Sequence, residues 1–91
     1  MSVTIRIPAQ LRSLTGGTGE VAVQAIDLRG ALDELQATHD GIGERLFDES
    51  GQIRRFVNIF VGDEDVRFLS GLDTPVPAGE TISIVPAVAG G

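Results

Sequence analysis

The sequence predicts an α+β roll, a mixed sheet of about five strands with one main helix laid across one face. Three observations lead there. Apolar and polar residues alternate near both ends, in Val3-Thr4-Ile5-Arg6-Ile7 and Ile82-Ser83-Ile84, which is the period of a half-buried strand. Between them Leu28, Leu32 and Leu35 recur at i, i+4 and i+7 with Ala31 beside them, the stripe of one amphipathic helix. No repeat or linker divides the 91 residues, so they make one domain with a modest core.

Residues 2–7 form the first strand, which Pro8 closes. Leu11 and Leu14 fold back onto the core, and Thr15-Gly16-Gly17-Thr18-Gly19 turns the chain. That glycine cluster matches neither G-x-G-x-x-G nor a Walker pattern and has no following lysine, so it is a turn and not a phosphate cradle. Glu20 to Gln24 returns as the second strand of a hairpin. Asp27 is placed to cap the helix, and Gly41 to stop it. Ile42, Leu46 and Phe47 suggest a further short helical turn.

Phe56-Val57-Asn58-Ile59-Phe60-Val61 is the strongest strand in the chain. Asn58 would be costly to bury unpaired, so Val57, Ile59 and Val61 face the core and Phe56 and Phe60 face away. Gly62-Asp63-Glu64-Asp65 reads as a turn, Val66-Arg67-Phe68 as a short strand, and residues 69–80 as a loop. The last strand ends at Pro86, which has no N–H for a ladder. A helix can bury its stripe only against one face of the sheet, and a terminal strand inserted beside the first would run parallel to it. That arrangement is the β-grasp, or ubiquitin-like, roll.

The chemistry of side chains is sparse. There is no cysteine, hence no disulfide, thiolate nucleophile or cysteine-based metal site. The acids of the Gly62–Asp65 turn lack the spacing and oxygen count that calcium needs, so no metal site is expected. His39 is the only histidine, near a helix C-terminus and without a catalytic partner in the sequence. The net charge of −6 disfavours nucleic acid and anionic membranes and favours a basic protein partner. The N-terminus lacks the apolar core of a signal peptide, and no apolar run is long enough to span a membrane; the expected location is the cytoplasm. All seven basic residues are arginine and none is lysine, so the chain cannot form lysine-linked chains with itself.

What remains is the end of the chain, Pro86-Ala87-Val88-Ala89-Gly90-Gly91. Residues 1–86 are expected to form the domain and residues 87–91 a flexible tail. Five residues span at most roughly 17 Å, enough to carry a terminal carboxylate into another protein.

With Pro8-Ala9-Gln10-Leu11-Arg12, the stretch Arg55 to Val61, Asp63-Glu64-Asp65-Val66-Arg67-Phe68 and the tail Val85 to Gly91, the chain resembles the ubiquitin-like sulfur carriers of the ThiS/MoaD type. Within them it looks most like the carriers of actinobacterial cysteine synthesis. The resemblance covers nearly the whole chain, and its specific element is the Gly-Gly end after a proline-terminated strand. It implies a carrier that is not itself an enzyme and binds no cofactor. A partner related to ubiquitin activators would use ATP to adenylate the Gly91 carboxylate, and a sulfur donor would then leave a thiocarboxylate there. A downstream synthase would take the sulfur for cysteine, thiamin, molybdopterin or a sulfur-containing secondary metabolite. Some relatives need residues trimmed after Gly-Gly; ending at Gly91, this chain is expected not to.

The same resemblance makes Gly90, Ala89 and Val88 the residues recognised in the tail. Phe60 and Val85, both turned from the helix-covered face, and Arg67, opposite Val66 and Phe68, form the expected partner-binding patch. Two other functions stay open: a protein modifier conjugated through Gly91, and a plain β-grasp binding module with an idle tail.

Overall fold

A computed structural model describes residues 2–86. The strands are β1 (Val3–Arg6), β2 (Glu20–Val23), β3 (Val57–Val61), β4 (Glu64–Asp65) and β5 (Thr81–Pro86). The helices are α1 (Leu28–Thr38) and α2 (Ile42–Leu46). The expected tail, residues 87–91, lies outside the described residues.

The sheet order is β2-β1-β5-β3-β4. The β1–β2 hairpin pairs Val3 with Val23 and Arg6 with Glu20. β5 lies parallel to β1 and antiparallel to β3, as the β-grasp reading requires. The register puts Val3, Ile5, Val23, Val57, Ile59, Ile82 and Ile84 on one face, all buried. Val61 continues that face half-buried, and Phe56 stands just before the strand rather than in it.

The Asp27 carboxylate accepts the Gly30 N–H at 2.8 Å and caps α1. Leu28, Ala31, Leu32 and Leu35 are all fully buried against the sheet. Gly41 then adopts φ +89°, a conformation side chains resist, and turns the chain from α1 into α2. Ile42 and Leu46 complete the core from α2.

The segment Val66–Phe68 is a 3₁₀ turn and not a strand. The Asp65 carboxylate accepts the Arg67 N–H at 2.8 Å, a local bond that competes with ladder formation. The short strand falls two residues earlier, on Glu64–Asp65, after a turn at Gly62-Asp63. Val66 is buried while Phe68 is 85% exposed, so these two do not share a face. A longer 3₁₀ turn, Ala9–Thr15, carries Leu11 into the core and Leu14 against it. The loop 69–80 holds another short turn, Gly71–Asp73, and buries Thr74 and Val76. Asp48 closes the loop before β3: its carboxylate accepts the Ser50 hydroxyl at 2.7 Å and the Gln52 and Ser50 amides at 3.1 and 2.9 Å. Those bonds, led by the Ser50 hydroxyl, hold its pKa below the ordinary aspartate value. The loop's gain from them is present above that ordinary value and is lost as pH falls through the lower folded one.

Candidate functional site

β5 is the central strand, and its last residue, Pro86, stands opposite Val57 of β3. Pro86 therefore stands at the middle of one end of the sheet. Val88, Ala89, Gly90 and Gly91, the expected tail-recognition and reacting residues, lie outside the described residues.

The helix-free face holds the side chains that alternate with the core. Phe60 pairs with Ser83, and Asn58 pairs with Val85, so Phe60 and Val85 are diagonal neighbours on that face, within mutual reach. Val85 is 46% exposed and Phe60 half-buried. Arg67 joins them by a route the sequence reading missed. From its 3₁₀ turn the guanidinium donates to Asn58 Oδ1 at 2.9 Å and to the carbonyls of Arg54, Arg55 and Val57 at 3.1, 3.0 and 2.8 Å. It therefore ties the approach to β3 to the strand pair that holds Pro86. The three expected residues do lie close together, but Arg67 is largely engaged within the fold. Arg67→Ala should lower stability by about 1.5–3 kcal/mol, the scale for hydrogen bonds to a charged group. Arg67→Lys should restore little of it, because an ammonium cannot span that planar set of acceptors. Urea unfolding of the two variants checks this.

Two grooves flank the tail root. One runs beside β1 and is bordered by Arg6, Arg12, Gly19, Glu20 and Val85. The other runs beside β3 and is bordered by Leu11, Glu44, Arg45, Arg54, Phe56 and Pro86. Arg12 Nε donates to the Ile7 carbonyl at 3.1 Å and Arg54 Nε to the Glu44 carbonyl at 2.9 Å. These arginines were not singled out from the sequence. Arg54 could have been, since it lies shortly before a strand antiparallel to the last. Arg12 and Arg45 sit in short helical turns whose placement depends on tertiary packing.

His39 is half-buried at the end of α1, and its backbone N–H donates to the Leu35 carbonyl. Among the described residues no three His, Asp or Glu side chains gather closely enough to hold a metal ion. No helix among them is long and apolar enough to cross a membrane.

Comparisons with known proteins bear on the whole chain. The model of the ThiS family matches residues 5–91. The sulfur carrier protein CysO of Mycobacterium tuberculosis is 48% identical over 93 residues, covering 100% of both chains. In the solved BexX/CysO complex of Amycolatopsis orientalis, the matching chain is 44% identical with a TM-score of 0.91, over 98% of this chain and 99% of that one. The small archaeal modifier protein 3 of Haloferax volcanii is 37% identical over 60 residues, 66% of this chain and 64% of its own length. With the β-grasp sheet, the central last strand and a family match over nearly every residue, this chain belongs to the ThiS family and is a sulfur carrier protein.

Proposed function

We propose that this chain is a co-substrate whose Gly91 carboxylate is activated and thiolated by another protein. Such a carboxylate has a pKa near 3.5 and is ionised at neutral pH, so it is a poor electrophile. A partner of the ubiquitin-activator type binds ATP and joins the carboxylate oxygen to the α-phosphorus, releasing pyrophosphate. Sulfur from a donor then attacks the carbonyl, the bond to AMP breaks, and a thiocarboxylate remains. That group passes its sulfur to an acceptor synthase serving cysteine, thiamin, molybdopterin or a sulfur-containing secondary metabolite. No side chain of the carrier takes part in the chemistry and the carrier binds no cofactor. It works in the cytoplasm, without nucleic acid or membrane.

The observation that carries this reading is the 48% identity to a sulfur carrier over the full chain, with the family match running through Gly90-Gly91. The BexX/CysO complex supports a second protein that docks the folded carrier. The test is the intact mass after incubation with the activating enzyme, ATP and sulfide. The expected result is a mass gain equal to replacing one oxygen with sulfur; no gain overturns the reading. Val88, Ala89 and Gly90 thread the enzyme's channel, and Phe60, Val85 and the Arg67-braced surface dock its body. Phe60→Ala and Val85→Ala should each weaken binding by about 1 kcal/mol or more with little loss of stability. Titration of the folded variants decides it, and unchanged affinity in both leaves the tail alone as the recognised element.

The modifier relative favours a second reading, conjugation to target lysines through Gly91. Covalent adducts in place of the sulfur gain would support it. A plain binding module predicts that deleting Gly90 and Gly91 changes nothing.

A further inference from the structure

The chain carries a formal charge of −6, but charge is segregated along β5. Near its start, Glu80 packs beside Gly62, and Asp63 and Glu64 follow in the adjoining turn and strand. At its end the sign reverses. Arg6 and Arg12 border one groove and Arg45 and Arg54 the other, with Glu20 and Glu44 as the acids of those two grooves. Arg55 adjoins Arg54, and its carbonyl is held by Arg67. Glu20 is already engaged by Arg6 at 3.5 Å. Asp40, Glu44, Asp48 and Glu49 line a separate groove that Arg54 also borders, and, behind the Ser50 hydroxyl bond, the Arg54 charge helps to lower the Asp48 pKa.

Among the described residues, no carboxylate lies within ion-pair distance of Arg12, Arg45, Arg54 or Arg55. Arg45 and Arg55 donate no side-chain hydrogen bond there either, so folding gives these two cations no evident task. Grouped like charges repel one another in the free protein, and an oppositely charged partner relieves that cost.

We infer that these arginines form a collar around the tail root that docks on an acidic protein rim at the mouth of the activating enzyme's channel. The inference rests on the tail-activation reading above. A carboxylate-lined rim fits better than a single phosphate, because Arg12 and Arg54 are fixed by their backbone bonds to separate grooves. Phosphate recognition asks for convergent donors. The collar also changes what net charge alone suggested: the surface that meets the partner around the tail is basic, and it selects an acidic counterpart.

The test uses the full chain and the activating enzyme of the mass assay. Arg45→Glu and Arg55→Glu should each slow association by roughly tenfold or more at low salt, with thermal midpoints unchanged. The loss should shrink as salt shortens the screening length from about 10 Å at 0.1 M to about 3 Å at 1 M. Asp63→Arg, at the opposite end of β5, should leave the association rate unchanged or raise it slightly. Unchanged association in both arginine variants, or a loss indifferent to salt, overturns the collar. So does direct binding of ATP alone to the wild-type chain that Arg45→Glu abolishes, which would make the arginines a nucleotide site. If the collar fails while wild type still gains sulfur, the carrier reading stands; if wild type gains none, the carrier reading fails first.

Discussion

Adding one residue after Gly91, or replacing Gly91 with alanine, should abolish or severely slow ATP–pyrophosphate exchange while leaving the fold intact. β5 is fixed between β1 and β3, so the distance from its end to the reacting carbonyl is set by the number of tail residues. One more residue moves the carboxylate by up to about 3.3–3.6 Å. A misplacement of about 1 Å can already cost roughly 100-fold in a positioned reaction. Alanine keeps the length but puts a Cβ beside the carbonyl and narrows the backbone conformations open to it. Both changes lie beyond β5, so thermal unfolding should match wild type. Exchange at the wild-type rate in the extended chain would show that the C-terminus is not the group activated.

Leu32→Ala and Leu35→Ala should each destabilise the fold by about 2–5 kcal/mol, the range for emptying a buried leucine site. Both side chains are 0% exposed, on the face of α1 that meets the sheet. The loss is large against a total stability of about 5–15 kcal/mol. For a domain of this size each kcal/mol lowers the melting temperature by about 4–8 °C. Ile26, which is 84% exposed just before α1, supplies the control: its replacement by alanine should stay within about 0.5 kcal/mol. Melting curves decide the matter, and an unmoved midpoint in both leucine variants would mean that α1 does not pack as described.

The parts of the fold that could be read from sequence are those where one residue's cost outweighs its neighbours' preferences. Asn58 fixed the facing of β3, because burying it unpaired is expensive. Three leucines at helical spacing fixed the face of α1, and Asp27 its start. Val66-Arg67-Phe68 misled because its apolar–polar–apolar order imitates a strand. The Asp65 carboxylate, by holding the Arg67 amide, makes it a turn instead. Sequence placed Phe60 and Val85 on the right face for the same reason it placed Asn58. It could not show Arg67 reaching the carbonyls of residues 54, 55 and 57, since long-range bonds to backbone carry no side-chain signature. The arginines around the tail root were likewise scattered in sequence, from Arg6 to Arg55, and only the pairing of β5 with β1 and β3 gathers them.

The position of β5 bears on how the protein is made. β5 follows every other strand in the chain, yet it lies third across the sheet, joining the β1–β2 hairpin to β3 and β4. Until residues 81–86 have been synthesised, the two halves have no ladder to share and the leucine face of α1 has only part of a sheet to cover. These are long-range contacts, which form late. A chain broken off before β5 lacks the strand that pairs with both β1 and β3, and should be cleaved by protease faster than the full chain. Closure of the sheet thus depends on the last strand to be made: only a chain whose synthesis has passed β5 can join the two halves.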